Sequence, residues 1–207
     1  MAIVIDGIYY ALGLGAAGGI VAWLAGPWFS APLWILAAFC LYFFRDPERV
    51  IPGGPVAVSP GDGKVVAVMA EGPTLSRLSI FLNIFDVHVN RAPISGKIAD
   101  VHYTPGRFLI ASREQASLEN EQNAVTITGA AGPLVFTQIA GLIARRIVFH
   151  KKTGETVQAG ERVGLIKFGS RVDVFLGPEW EIQVQQGMRV KAGSSVLARL
   201  NDSGKEA

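Results

Sequence analysis

The chain has 207 residues, of which 50% are hydrophobic and 17% are charged, and its formal net charge is +2. Soluble domains usually carry about 25% charged residues, so the deficit predicts a membrane-associated segment. The small net charge, without any basic run that contains aromatic residues, argues against a nucleic-acid-binding protein. The single cysteine, Cys40, excludes a disulfide framework and a thiolate metal site within one chain.

The N-terminal region is apolar over an unusual length. No Asp, Glu, Lys or Arg occurs in residues 7–44, whereas one membrane-spanning helix needs only about 20 residues. The glycine and prolines of Gly26–Pro32 predict a turn between two helices. We therefore expect residues 1–45 to form a helical hairpin that is either transmembrane or re-entrant, because its second leg is short.

The charges around this hairpin predict its orientation. Residues 1–6 lack the positive charge of a signal peptide, which favours a retained anchor. A hairpin returns both of its ends to one side, and Arg45 and Arg49 follow it directly. The positive-inside rule then places the rest of the chain, residues 46–207, on the cytoplasmic side of the cell membrane.

Residues 46–207 have the texture of a mainly β domain. Short runs of β-branched and apolar residues alternate with Gly, Pro and Asp turns, which favours a β-sandwich or barrel-like fold. The predicted strands are Lys64–Met69, Leu78–Leu82, Gly96–His102, Ala124–Thr128, Leu134–Ile139, Val172–Phe175 and Ser195–Leu200. Only Leu142–Phe149 has a weak helical or mixed character.

A faint internal repeat links residues 157–164 with residues 190–197. Each copy predicts a strand, a glycine turn and a second strand, as in the paired hairpin units of lipoyl- and biotinyl-type domains. The alternative function is therefore a membrane-anchored carrier or adaptor module without enzymatic activity. Lys191, the lysine such a carrier would modify, precedes the predicted turn, and a likeness of fold does not assign a function.

Three short segments contain residues suited to nucleophilic or acid–base chemistry. Asp62 lies between two glycines in a predicted turn, and His88 lies in a strand-like run that is closed by Pro and Gly. Ser170 follows Gly169 inside an apolar strand-like run, where a glycine often marks a bulge. Each segment alone has a structural explanation, whereas an acid, a base and a hydroxyl together provide the components of a triad.

These segments, in this order, resemble those of the phosphatidylserine decarboxylases, and within that family the short bacterial form. The resemblance runs from Phe44 to about Leu176. Its motifs are Phe44–Arg49, Ser59–Val65, Phe85–Pro93, Tyr103–Gly106, Glu119–Glu121 and Lys167–Ser170. Any one of them is unspecific, but all of them in this order and spacing are highly specific.

The resemblance implies that the chain cuts itself between Gly169 and Ser170, so that residues 1–169 and 170–207 form a heterodimer. It implies that Ser170 becomes a pyruvoyl group, which binds phosphatidylserine as a Schiff base and decarboxylates it to phosphatidylethanolamine. Neither a metal nor pyridoxal phosphate is expected, because the pyruvoyl group is the electron sink. The other Gly-Ser pair, Gly193-Ser194, lies outside the family's cleavage context.

The resemblance also implies roles for single residues. Asp62 matches the acidic member of the maturation triad, and His88 matches the first histidine of its segment. Longer bacterial relatives have a second histidine three residues further on, where this chain has Arg91. The base for maturation and the proton donor for turnover are therefore His88 alone, or His88 helped by His102 or His150.

Arginines are the candidates for binding the lipid phosphodiester, because a guanidinium pairs well with phosphate oxygens. Arg145 and Arg146 form an adjacent pair with an alternative reading as a solvated basic face, and Arg91 is a further candidate. The expected partners are phosphatidylserine in the membrane and the two cleaved chains themselves. Whether the heterodimer assembles further into a homo-oligomer stays open at this point.

Overall fold

A computed structural model describes residues 2–142, 146–167 and 169–201. It divides the chain into two compact units, Met1–Glu48 and Arg49–Ala207. Helices dominate the first unit and strands dominate the second. The predicted fold class, mainly β with an apolar helical N-terminus, is confirmed.

The N-terminal unit is a helical hairpin closed by a short strand pair. Its elements are β1 (Ala2–Ile3), α1 (Ile5–Ala25), α2 (Pro27–Phe43) and β2 (Arg45–Asp46). With 21 residues, α1 is long and apolar enough to cross a membrane, and α2 is a shorter apolar helix of 17 residues. β1 and β2 pair antiparallel, so the chain leaves this unit beside the point where it entered.

The connection between α1 and α2 is shorter than the sequence predicts. The predicted turn over Gly26–Pro32 is wrong beyond its first residue, because α2 begins at Pro27 and includes Pro32. Proline suits the first helical turn, where its missing N–H has no helical partner to lose. Gly26 alone makes the turn, with a φ of 98° that glycine adopts readily.

The second unit consists of antiparallel strands and one short helix. Its elements are β3 (Val56–Val58), β4 (Gly63–Glu71), β5 (Leu75–Leu82), β6 (Val89–Arg91), β7 (Gly96–Thr104), α3 (Ala116–Glu119), β8 (Gln122–Gly129), β9 (Gly132–Ala140), β10 (Ile147–Phe149), β11 (Thr156–Val157), β12 (Arg162–Ile166), β13 (Ser170–Leu176), β14 (Trp180–Ile182), β15 (Arg189–Val190) and β16 (Val196–Leu200). All seven predicted strands are confirmed. The helical or mixed character assigned to Leu142–Phe149 is wrong for Ile147–Phe149, which pairs with β12 as a strand.

A single large sheet organises this unit. Its strand order is β11-β7-β8-β9-β13-β5-β4-β15, and two smaller sheets, β10-β12-β6 and β14-β16-β3, complete the fold. β13 lies near the middle, between β9 and β5. Val172, Val174 and Leu176 on β13 belong to the hydrophobic core, which follows from the two-residue period of a strand.

Both copies of the predicted repeat have the expected order of strand, glycine turn and strand, but the predicted hairpins are wrong. β11 pairs with β7 and β12 with β10 and β6, while β15 pairs with β4 and β16 with β14 and β3. β11 and β12 flank Gly160, β15 and β16 flank Gly193, and both glycines have left-handed φ angles of 78° and 75°. A Cβ at Gly193 would lie 3.5 Å from the Cα of Gly160, so the two turns are close neighbours. Lys191 directly follows β15 and precedes the glycine of its turn.

Candidate active site

The ends of four neighbouring strands, β9, β13, β5 and β4, meet at one end of the large sheet, where two of the predicted site residues lie. Ser170, the first residue of β13, is opposite Leu82 at the end of β5 and Ala140 at the end of β9. On the other side of β5, Lys64 is opposite Phe81, so β4 also starts at this end. Residues 62 and 169 precede β4 and β13, and they therefore lie on either side of the end of β5.

Ser170 is enclosed at this end of the sheet. It has no exposed surface, and its Oγ has no hydrogen-bond partner among the described residues. A buried polar group without a partner costs about 1–3 kcal/mol and is rare, so its presence requires an explanation. Gly169 has a left-handed φ of 62°, which gives the chain a bend directly before the strand.

His88 lies against the peptide that precedes Ser170. The amide of Gly169 donates a hydrogen bond to His88 Nε2 at 3.2 Å, and His88 is 2% exposed. His88 Nδ1 lies 3.0 Å from the carbonyl oxygen of Asp86, which can only accept. This hydrogen-bond pattern assigns the proton to Nδ1 and the lone pair to Nε2, so the basic nitrogen faces the amide of Gly169, one peptide bond before the Gly169–Ser170 bond.

Asp86 fixes the loop that presents His88. Its carboxylate accepts a hydrogen bond from the amide of Asn83 at 3.0 Å and pairs with Arg189. Its own carbonyl sets the tautomer of His88. No local sequence signal marks Asp86 as a site residue, because an acidic residue just outside a strand is typical of a turn.

Two groups donate hydrogen bonds to the carboxylate of Asp62. Arg49 Nη2 donates to both carboxylate oxygens, at 2.8 and 3.0 Å, and the amide of Ala192 donates to Oδ1 at 2.8 Å. Burial raises the pKa of Asp62, while the amide of Ala192 and the charge of Arg49 oppose that rise. Asp62 thus links the start of β4 to the second repeat turn and to Arg49.

The remaining predicted residues lie in different places. Arg91 is buried, and its Nη1 donates to the carbonyl of Gly160 in the first repeat turn at 3.0 Å. Arg146 is exposed, and its carbonyl accepts a hydrogen bond from the amide of Lys167, two residues before Gly169. Arg145 lies outside the described residues.

The two other histidines are exposed and lie away from Ser170. His102 is on β7, which is separated from β13 by β8 and β9. His150 follows β10, and its amide binds the carbonyl of Val163, three residues before the end of β12. The structure therefore brings together Gly169, Ser170 and His88.

An apolar pocket of about 260 Å³ opens beside Gly169. Its lining residues are Phe81, Asn83, Ile84, Ile110, Ala111, Leu142 and Gly169. A Cβ at Gly141 would overlap the carbonyl oxygen of Gly169 and lie 3.2 Å from the Cβ of Ala111. Gly141 is thus required for the close approach of this carbonyl, a contact that no local sequence signal reveals.

The fold and the site define a class: a mainly β protein with an apolar helical N-terminus, in which a buried histidine accepts a hydrogen bond from the glycine of a Gly-Ser pair. Among the described residues, no group of three His, Cys, Asp or Glu side chains is placed to hold a metal ion. A family model described as phosphatidylserine decarboxylase matches residues 36–198. The chain belongs to the phosphatidylserine decarboxylase family, as the motifs predict.

Relatives of similar length support this assignment. The chain is 66% identical over 202 residues to the phosphatidylserine decarboxylase proenzyme of Solibacter usitatus (strain Ellin6076), covering 98% of both chains. It is 46% identical over 186 residues to the protein of the same name from Cupriavidus pinatubonensis, covering 86% of each. The corresponding protein of Magnetococcus marinus is 44% identical over 204 residues, covering 95% of this chain and 92% of that protein.

Proposed function

We propose that this chain decarboxylates phosphatidylserine to phosphatidylethanolamine, using a pyruvoyl group that it makes from Ser170 by cutting itself after Gly169. The observation that carries this proposal is the 3.2 Å contact between His88 Nε2 and the amide of Gly169, beside the buried Oγ of Ser170. The family assignment supports the reaction, and the word proenzyme in the names of the relatives supports the cleavage.

The cleavage begins with the hydroxyl of Ser170. His88 Nε2 exchanges the Gly169 amide for the neighbouring Oγ and removes its proton, which activates a weak nucleophile. The Oγ attacks the carbonyl carbon of Gly169, and the peptide bond becomes an ester while the amine of residue 170 is released. Gly169 suits this step because its left-handed φ of 62° carries little strain for glycine.

The ester then breaks by β-elimination. A base removes the α-proton of residue 170, the Cβ–O bond breaks, and Gly169 leaves with a new carboxyl group. The dehydroalanine that remains takes up water and loses ammonia, which leaves a pyruvoyl group at the new chain end. The partnerless Oγ of Ser170 fits this sequence, because a group that is consumed in maturation needs no lasting hydrogen bond.

In the mature enzyme the pyruvoyl group would supply an electron sink for the electron pair that remains when the carboxylate leaves as carbon dioxide. His88 is the residue placed to return a proton to the product, since its Nε2 faces residue 169 and its ring is buried. The apolar pocket beside Gly169 receives the glycerol end of the lipid and keeps water out.

The phosphodiester of the substrate requires a cation at the mouth of the site. Arg146 is exposed, and its carbonyl accepts a hydrogen bond from the amide of Lys167, two residues before Gly169. We therefore assign this role to Arg146. Arg145 and Arg91 are the other candidates, with Arg91 directed toward the first repeat turn. The apolar helix α1 tethers the chain to the bilayer that contains the substrate, and Arg45 and Arg49 favour the cytoplasmic side.

Carbon dioxide release from phosphatidylserine in detergent micelles tests this function. We expect the purified enzyme to release carbon dioxide, and to lose this activity after treatment with hydroxylamine, which captures a ketone. Treatment with a metal chelator is the matched control and is expected to change nothing. Activity that survives hydroxylamine but is lost with the chelator would contradict a pyruvoyl enzyme.

A further inference from the structure

A buried ionic cluster lies on the opposite face of β13 from the hydrophobic core, directly beside the Gly169–Ser170 bond. Ser170 and Val172 point one way along the strand, while Arg171 and Asp173 point the other. Both charged side chains are only 1% exposed. Buried charges persist in proteins only where they are paired and hydrogen-bonded, so this face must be covered by a matching set of groups.

The guanidinium of Arg171 is bound from several directions. Its Nε and Nη2 bind the two carboxylate oxygens of Asp173 at 2.6 and 3.1 Å. Nη2 also donates to the Oγ of Ser79 on β5 at 2.6 Å, and Nη1 donates to the carbonyl of Arg113 at 3.4 Å. The carboxylate of Glu114 lies 3.6 Å from Nη2. These contacts fix the orientation of the planar guanidinium group and therefore of the backbone at Arg171.

Residues 108–119, which we call the covering segment, close over this cluster. The Oγ of Ser117 donates to Asp173 Oδ2 at 3.1 Å, and Glu114 pairs with both Arg77 and Arg171. Burial opposes the ionisation of Glu114, but its ion pairs outweigh that effect and lower its pKa. The covering segment is therefore attached to the sheet through Arg171 and its neighbours.

The covering segment also reaches the cleavage site. Asn120 follows it and donates to the carbonyls of Leu109 at 2.9 Å and of Ala140 at 2.7 Å. Ala140 is the β9 partner of Ser170. Ile110 and Ala111 of the same segment line the pocket beside Gly169. The ionic cluster thus underlies both the first residues of β13 and one wall of the pocket.

We propose that Arg171 is a positioning residue of the mature active site: it holds the new chain end, which begins at residue 170, in register beside His88. This inference rests on the proposed cleavage after Gly169. Chain ends fray unless they are tied down, and cleavage turns the first residue of β13 into a chain end. Arg171 is the second residue of the new chain, and its locked side chain keeps the first residue from leaving the sheet.

Arg77 offers a matched control. It is also a buried arginine, and it binds the same cluster through Glu114, through Glu71 at 3.1 Å and through Asp173 at 3.7 Å. Its position on β5 is opposite Phe175, four residues beyond Arg171 on β13. Arg77→Met therefore removes a charge from the cluster without loosening the chain end.

The experiment compares Arg171→Lys, Arg171→Met and Arg77→Met as purified full-length chains. The measurements are the pyruvoyl content by mass, the melting temperature, and kcat and KM per pyruvoyl group. We expect both Arg171 variants to lose at least about tenfold in kcat with KM within about twofold, because a displaced reactant costs rate rather than binding. Lysine is not expected to rescue, since it cannot reproduce the bidentate contact. Arg77→Met is expected to keep its kcat while its melting temperature falls.

Several results would overturn the inference. They are a normal kcat per pyruvoyl group in the Arg171 variants, an equal loss of kcat in Arg77→Met, or Arg171 variants that fail to fold or to be cut while Arg77→Met succeeds. The last result would assign Arg171 to folding or to cleavage alone. A wild-type chain that stays uncut would instead contradict the proposed function, so the two failures are distinguishable.

Discussion

The chain contains two Gly-Ser pairs of similar backbone shape and different surroundings. Gly169 and Gly193 both have left-handed φ angles, 62° and 75°. Ser194 is half-buried in a tight turn, where its amide binds the carbonyl of Lys191. Ser170 is fully buried at the start of a strand, and its neighbour Gly169 donates to a histidine.

The difference shows that the shape of the dipeptide does not make a reactive bond. Glycine permits a bend in both places, but only the first bend faces a base. His88 Nε2 accepts from the Gly169 amide, whereas the Gly193 amide donates to the carbonyl of Ser59 within a structural turn. A hydroxyl becomes a nucleophile through a base that is held in place, so we expect the surroundings to decide which of the two bonds is cut.

The largest effect is expected when each of the two serines is replaced separately by alanine. Ser170→Ala removes the nucleophile, so we expect a single uncut chain without decarboxylase activity. Ser194→Ala is the matched control, and it is expected to give two chains and normal activity. The measurement is denaturing electrophoresis with an activity assay, and the opposite pattern would assign the reaction to Gly193-Ser194.

The next effect concerns the base. We expect His88→Ala to slow cleavage by at least about 100-fold, because proton removal from a weak nucleophile contributes roughly that much. His102→Ala and His150→Ala change exposed histidines and are expected to be cut at the wild-type rate. The rate is followed as conversion to two chains after synthesis in vitro. Loss of cleavage in either control, with His88→Ala unaffected, would transfer the role of the base.

A smaller effect is expected at Gly141. The Cβ of Gly141→Ala would collide with the oxygen of the Gly169 carbonyl, whose carbon is the electrophile in the proposed cleavage. A displaced electrophile is expected to slow cleavage roughly tenfold to 100-fold. Gly53→Ala adds the same methyl group where no atom lies within 4 Å, so it serves as the control. Equal cleavage times for the two variants would show that this close approach does not matter.

The smallest effect is a change of pH dependence through Arg49. Burial raises the pKa of Asp62 and Arg49 lowers it, so Arg49→Met is expected to raise that pKa further. If ionised Asp62 supports cleavage, the rate declines as pH falls through this pKa, and the decline in Arg49→Met should begin at a higher pH. Arg107→Met, which breaks an exposed pair with Glu119, is the control. An unchanged pH dependence of the cleavage rate in Arg49→Met would show that the ionisation of Asp62 does not support cleavage.

Local sequence patterns predicted the β architecture well, for a physical reason. Strand β8, for example, alternates buried apolar and half-buried polar residues over residues 125–127 and ends at Gly129, and both signals are local. The sequence predicts too late a start for the second helix, because Pro27 and Pro32 together are typical of a turn. The first of these prolines begins α2 and the second is accommodated inside it.

The site residues could be predicted from the sequence only where they lie in a motif of the family. Gly169, Ser170, His88 and Asp62 followed from the resemblance to a family. The approach of Gly141 to Gly169 and the burial of Arg171 depend on residues brought together by the sheet. An arginine on the outer face of a strand is expected to face solvent, and only the covering segment, distant in sequence, buries it here.

The intact mass of the purified protein tests the central claim most directly. The proposed cleavage after Gly169 is expected to give two chains, residues 1–169 and residues 170–207. The smaller chain is expected to be lighter than its encoded sequence by the mass of one ammonia, because the amine of Ser170 is replaced by a ketone oxygen and its hydroxyl is lost. A single uncut chain that decarboxylates phosphatidylserine, or a cut after Gly193, would contradict the account.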